Sequence, residues 1–338
     1  MVRGELLRRL LVSEQRGDRE EFLSVALEAI AEEERKNNHR LARDLKRILE
    51  NGCLNGPEHQ LPNENWGTLP QDKERQVHLV EVRQPKRHMD EILLTRANGA
   101  AVERVLQEYR KAELLRVHGL RPSSKLLFCG PPGCGKTLCA EVIASELGLP
   151  LLYTRFDAIV SSYLGETAAN LRRVFEYASN GQWVVLFDEF DAIGKARDNP
   201  TEHGELKRVI NSFLQLLDSF VAPSIIIAAT NHEQLLDPAL WRRFDEIIVF
   251  HRPSVHEIRS LLTMKLRNFP RSGVDLGLAA PRLRGMSHAD VERVCLHAVK
   301  TALLSDKDSL DQETFDLSVE QQRVRSAITA AASRRRHA

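Results

Sequence analysis

The stretch Gly130-Pro131-Pro132-Gly133-Cys134-Gly135-Lys136-Thr137 limits what this chain can become more than any other. The apolar run Lys125–Cys129 leads into it and a helix-like segment over residues 138–147 leads out. That spacing predicts a buried strand, a glycine-rich turn and a helix in direct succession. A lone pair of glycines between strand and helix would be read only as a tight connection. Here Gly130, Gly133 and Gly135 let backbone N–H groups turn inward with no Cβ in the way, Lys136 adds a point charge, and Thr137 adds a hydroxyl able to ligate Mg²⁺. The helix that begins at the loop aims the positive end of its dipole at the same place. The loop, through Leu138, is therefore expected to wrap the phosphates of a nucleotide.

A second signal agrees with the first. Val184-Val185-Leu186-Phe187 is an apolar strand-like run ending in Asp188 and Glu189. Asp188 stands where the shell of a Mg²⁺ needs a carboxylate, and Glu189 where a water could be oriented and deprotonated against a terminal phosphate. The pair predicts hydrolysis of ATP and not binding alone. Further strand-like runs fall at Leu151–Thr154, 225–229 and 247–250, and a helix-like segment carrying Val209, Ile210, Phe213, Leu214 and Leu217 lies between two of them. This alternation predicts an α/β chain built on a three-layer parallel sheet of the P-loop NTPase kind.

The flanks divide the rest. Residues 1–50 carry three helix-period apolar patterns and no catalytic constellation, and are expected to form a short helical domain that docks a partner. Residues 51–84 are expected as linker, rich in Gly, Pro and Asn up to residue 70, with a short strand near residues 77–82. The α/β part is assigned to 85–253. From 254 to 306 the pattern turns wholly helical, with capping boxes at Ser254/Glu257 and Ser287/Asp290, and predicts a small α-helical lid. Residues 307–338 complete the chain as a helix and basic tail, with five arginines and no acid after Glu320.

Composition bears on partners. The 48 basic and 47 acidic residues leave a net charge of +1, which argues against an attraction of the whole protein to nucleic acid or membrane. The leucine-rich start is broken by Glu5, Arg8 and Arg9, and no apolar run approaches the length of a membrane span, so the chain is expected to be cytoplasmic. Its five cysteines contain no C-x-x-C pair. Cys134 lies inside the loop, where an added group would collide with a bound nucleotide.

These residues together resemble the AAA family of ATPases over roughly residues 125–305. The resemblance implies ATP and Mg²⁺ as ligands and adds roles that the residues alone do not reveal. Asn231, after the run of residues 225–230, matches the family's first sensor, which helps position the attacking water. Arg242 and Arg243, in Leu236-Asp237-Pro238-Ala239-Leu240-Trp241-Arg242-Arg243-Phe244-Asp245, look like its arginine-finger segment, reaching the nucleotide of a neighbouring subunit. The bland alternative pairs them with Asp245 and Glu246. A site completed by a neighbour implies head-to-tail assembly, and the family implies a hexameric homo-oligomer. Tyr163, Leu164 and Gly165 resemble the first pore loop, which grips a protein client, and His203 stands where the second would be. Gly285 and Ala289 resemble the lid segment beside the nucleotide in the protein-remodelling branch.

Some family members carry a zinc protease. The near misses at His232-Glu233 and His256-Glu257 lack the second histidine of H-E-x-x-H. In layout the chain is similar to bacterial AAA ATPases found beside subtilisin-like serine proteases in phage-defence or plasmid-maintenance modules, and its paired arginines also resemble the microtubule-severing branch. The function implied is remodelling or unfolding of protein clients through a central pore. The alternatives are an ATP-gated switch on a bound effector and a nucleic-acid motor, the last disfavoured by the even charge.

Overall fold

The computed structural model describes residues 66–154, 159, 164–190, 203–231 and 241–336, together with Val25 and Glu28. The chain divides into two compact units, Met1–Thr68 and Leu69–Ala338. In the first, Val25 is buried and Glu28 exposed, both in helical conformation. The expected N-terminal helices otherwise lie outside the described residues.

The second unit is organised by a six-stranded sheet. Its strands are β1 (Val80–Arg83), β2 (Lys125–Cys129), β3 (Leu151–Thr154), β4 (Val184–Phe187), β5 (Ile225–Thr230) and β6 (Glu246–Val249), in the order β1-β3-β4-β5-β2-β6. Pairings from β3 through β6 are all parallel. β4 and β5 are buried along their whole length, as strands covered on both faces must be. On one face pack helices α1 (Arg96–Arg110) and α3 (Lys136–Leu147); the short α2 (Ala112–Val117) follows α1. Val102, Val105, Ala140 and Ile143 meet Leu126, Phe128, Leu186 and Ile227 there. The other face takes α4 (Leu164–Ser179) and α5 (His203–Ser219), where Phe187 stacks on Phe175 at 5.4 Å and meets Phe213 edge-on at 5.1 Å. Leu186 and Phe187 thus serve opposite layers, as the two-residue period of a strand requires.

The expected parallel sheet carries one antiparallel strand at its edge. β1 pairs antiparallel with β3. β1 reaches β3 only through α1, α2, β2 and α3, a connection long enough to allow either direction, and it follows directly on a tight turn in which Asp72 N–H donates to Val77 O and Leu79 N–H to Pro70 O. Residues 69–83, within the stretch expected as linker, therefore belong to the second unit.

The lid consists of α6 (Val255–Lys265), α7 (Leu276–Arg282), α8 (His288–Leu304) and α9 (Gln312–Arg336) around Ile258, Leu262, Val294, Ala298, Phe315 and Val319. Both expected capping boxes form. It is not wholly helical, because Arg271–Ser272 (β7) and Leu310–Asp311 (β8) form a two-stranded parallel ladder. Strands of two residues are too short to display a period. The basic tail continues α9 as helix to Arg336. Among the described residues no helix is long and apolar enough to cross a membrane.

Candidate functional site

The phosphate loop leaves the C-terminal end of β2 and enters α3. Gly130 lies at φ +139°, and a Cβ there would stand 2.1 Å from Phe250 O, so no other residue lets the chain turn against the end of β6. Gly133 lies at φ +73°, and its missing Cβ would meet Ser287 Oγ at 2.8 Å and Ala289 Cβ at 3.3 Å. Gly133 is thus the point where the lid rests on the loop. Ala289 N–H donates to Gly133 O at 3.0 Å.

Lys136 is 6% exposed. Its Nζ donates to Gly130 O (2.7 Å), Pro131 O (3.0 Å) and Asn231 Oδ1 (2.9 Å). Three acceptors hold the buried ammonium at the mouth of the loop, as burial of a charge demands. Thr137 Oγ1 donates to Asp188 Oδ2 at 2.7 Å. Pro132 and Gly133 are exposed, Leu138 is half-buried and Cys134 is buried. Burial pushes the Cys134 thiol up, which keeps it protonated and works against the alkylation its place in the loop would invite.

β5 lies between β4 and β2, so the ends of all three strands lie side by side. Glu189, just past β4, is one of three non-glycine residues with positive φ among the described residues, at +53°. That conformation costs about 1–3 kcal/mol. Two anchors impose it: Glu189 N–H donates to Asp188 Oδ1 at 2.9 Å, and the next residue, Phe190, is buried and donates N–H to Ala229 O at 2.9 Å. Glu189 itself is exposed.

The structure therefore brings Lys136, Thr137, Asp188, Glu189 and Asn231 together from three strand ends. The residues fit a nucleotide and a hard cation: a turn of backbone N–H groups for phosphate, and a hydroxyl and a carboxylate within hydrogen-bonding distance of each other for Mg²⁺. Gly285, at φ +86°, is tied to the start of the lid, its carbonyl accepting from Arg252 Nη1 at 2.7 Å.

Arg242 is exposed, and Arg243 Nε donates to Asp218 Oδ2 at 2.8 Å near the end of α5. Pairing of the two arginines with Asp245 and Glu246 is not what forms. Asp245 Oδ2 accepts the N–H groups of Ser124 and Lys125, and Glu246 pairs with Arg104 at 2.6 Å. Tyr163 lies outside the described residues. Leu164 and Gly165 begin α4, and His203 is the first residue of α5. Sequence reasoning saw Ser287 only as a helix cap, since nothing local shows that its hydroxyl faces Gly133.

Residues 126–252 match the model of the ATPase family associated with various cellular activities (AAA). The uncharacterized AAA family ATPase y4kL of Sinorhizobium fredii is 42% identical over 330 residues, covering 97% of both chains. The ATP-dependent zinc metalloprotease FtsH 1 of Sorangium cellulosum is 33% identical over 265 residues, 75% of this chain and 43% of that protein. The proteasome-activating nucleotidase of Thermococcus onnurineus is 34% identical over 235 residues, 65% of this chain and 59% of its own length. This chain thus spans less than two thirds of the last two.

Proposed function

This chain belongs to the AAA family of ATPases, and from that premise we propose that it couples ATP hydrolysis, in a hexameric head-to-tail ring, to the remodelling of protein clients. The observation that carries the reading is the hydrogen-bonded cluster joining Lys136, Asn231, Thr137 and Asp188 beside the strained Glu189. Lys136 and the loop N–H groups bind the phosphates. Thr137 and Asp188 would hold Mg²⁺, which neutralises charge on the phosphate oxygens when bound. Glu189 accepts the proton of the attacking water, and Asn231 keeps that water in line.

Arg242 and Arg243 are the fingers offered to the neighbouring subunit. A finger is worth about 4 to 7 kcal/mol of transition-state stabilisation, so hydrolysis depends on assembly. Tyr163 and Leu164, just before and at the start of α4, are the grip on the client, with Gly165 next to them in the chain and His203, at the start of α5, in the place of the second pore loop. Two relatives are by name a protease and a proteasome activator, which supports a client handed on to proteolysis. A separately encoded subtilisin-like protease in an anti-phage module is the partner that the layout of this chain best fits, with residues 1–50 as its dock.

The Ala289–Gly133 contact favours a second reading, in which nucleotide state moves the lid and switches a bound effector without threading anything. Tyr163→Ala separates the two. Threading requires that ATPase activity survive while client unfolding is lost; intact client processing by a folded Tyr163→Ala protein would overturn threading. Glu189→Gln, which should hold ATP and client together, provides the pull-down that identifies what is bound.

A further inference from the structure

The first turn of α8 touches the phosphate loop, and its conformation is set by one carboxylate. Asp290 Oδ2 accepts from Ser287 N (3.1 Å) and Ser287 Oγ (2.7 Å), while Asp290 N–H donates to Ser287 Oγ at 3.2 Å. The other oxygen of Asp290 faces elsewhere. Its Oδ1 accepts from Gln322 Nε2, in the middle of α9, at 2.8 Å. Gln322 is 5% exposed, whereas Gln321 beside it points to solvent. A buried amide thus ties the C-terminal helix to the cap whose serine fills the space left by the missing Cβ of Gly133.

A competitor stands nearby. Arg293 Nη1 lies 3.6 Å from the same Asp290 Oδ1, one turn along α8, with a half-exposed side chain. Without the Gln322 amide, Arg293, the charged donor that among the described residues faces that oxygen, draws the carboxylate outward and away from Ser287. The hydroxyl would then no longer be held where it limits the loop at Gly133.

We infer that Gln322 is a positioning residue for nucleotide binding, holding the Asp290–Ser287 cap against Gly133 so that the loop keeps its phosphate-binding shape. The inference rests on the reading of residues 130–138 as the nucleotide site. It makes the C-terminal helix part of that site, although α9 supplies no group to the nucleotide. Because Glu189 and Asn231 are untouched, the effect falls on affinity and not on the chemical step.

The test uses the full chain and measures ATP KM and kcat, binding of a non-hydrolysable ATP analogue, and Tm. Gln322→Met keeps the bulk and helix preference but removes the donor. It should raise KM and the analogue's Kd about threefold to tenfold with kcat within about twofold, the range expected when one hydrogen bond of ordinary net strength is lost. Gln322→Asn, an amide too short to reach, should do the same, which keeps the idea open to refutation should the methionine variant fold poorly. Gln321→Met should match the wild type. Adding Arg293→Ala to Gln322→Met should recover at least half of the loss, an outcome that a merely structural role does not produce. Unchanged KM and Kd in Gln322→Met, or a rise that Arg293→Ala does not relieve, would overturn the inference. Lys136→Ala run alongside tests the site itself. If it abolishes analogue binding while Gln322→Met binds normally, the nucleotide site stands and only the role of Gln322 falls.

Discussion

At the hairpin before β1, Asp72 is 2% exposed and accepts from the backbone N–H groups of Glu74 (2.9 Å) and Arg75 (3.1 Å) and from Asn170 Nδ2 (3.0 Å). At the end of β4, Asp188 is half-exposed, and among the described residues it accepts only from the Thr137 hydroxyl and from the N–H of its strained neighbour Glu189. The Asp72 carboxylate is buried and accepts from three donors. Asn170, itself buried in α4, is fixed in turn by Arg173 Nη1 at 2.6 Å, so the hairpin is clamped to the helix that begins at the candidate pore segment. The backbone N–H of Arg75 and then the Asn170 amide hold the Asp72 carboxyl below its ordinary range. Asp188 keeps unused acceptor capacity, and strain is stored beside it. The contrast separates a carboxylate that stabilises from one kept available for a ligand.

If that contrast is right, substitutions at the β4 end change rate without much change in stability, and substitutions at the hairpin do the reverse. The largest effect is expected from Arg242→Ala with Arg243→Ala, which should lower kcat by about 10³-fold or more. Mixing that protein with Lys136→Ala should restore part of the activity at mixed interfaces, because each retains the half-site the other lacks. No recovery at any ratio, with co-assembly of the two proteins confirmed, would mean that the arginines act within their own subunit. Next, Glu189→Gln should bind ATP yet turn it over at least about a hundredfold more slowly, with Tm at or above that of the wild type since the strained position is relieved of nothing essential. Wild-type turnover by this protein would remove Glu189 from the chemistry.

Asp72→Ala should lower Tm by several degrees while kcat per folded molecule stays within about twofold, the inverse of the Glu189 result. Its pH dependence follows from the sign of the shift. A carboxyl whose folded pKa is depressed contributes stability that is present above its unfolded value and is lost as pH falls through the folded one. The wild type should therefore lose this increment below about pH 4, and Asp72→Ala should show a flatter acid limb in thermal melts. A full rate loss in Asp72→Ala at unchanged Tm would break the comparison.

The smallest effect is expected at Glu74, whose carboxyl is raised by its hydrogen bond and charge contact with Glu166, the third residue of α4. Here the sign is opposite. A raised carboxyl favours the fold while protonated, and that contribution is lost as pH rises through the folded pKa. Glu74→Gln should raise Tm at pH 7 by about a degree, with the gain vanishing below about pH 4.5. A lower Tm at pH 7 would show that the pair does not oppose the clamp.

Much of the molecule could be read along the chain, because the signals are local. The apolar runs at β2, β3 and β4 have the bounds the sequence predicts, and β5 and β6 lie within a residue of theirs. Both capping boxes close within three residues, so neighbouring side chains suffice to show them. The phosphate loop is legible for the same reason: the positive φ of Gly130 and Gly133 and the turn into α3 are demands on consecutive residues. What could not be read is the antiparallel edge β1, the two-residue ladder in the lid, and the clamp of Asp72 on Asn170.

The sequence by itself determined the longer strands and helices, which face of each is apolar, and that a phosphate loop and an Asp-Glu strand end occur in one chain. Only the tertiary structure decided that Lys136 meets Asn231, that Arg243 meets Asp218 and not Asp245, that Ser287 sits against Gly133, and that Gln322 reaches Asp290. The physical reason is that periods of 2 and 3.6 residues assign a side chain to a face but not to a neighbour. Neighbours are chosen when strand order and helix packing bring distant segments together, and each of these contacts joins elements that the chain separates by at least one intervening helix or strand.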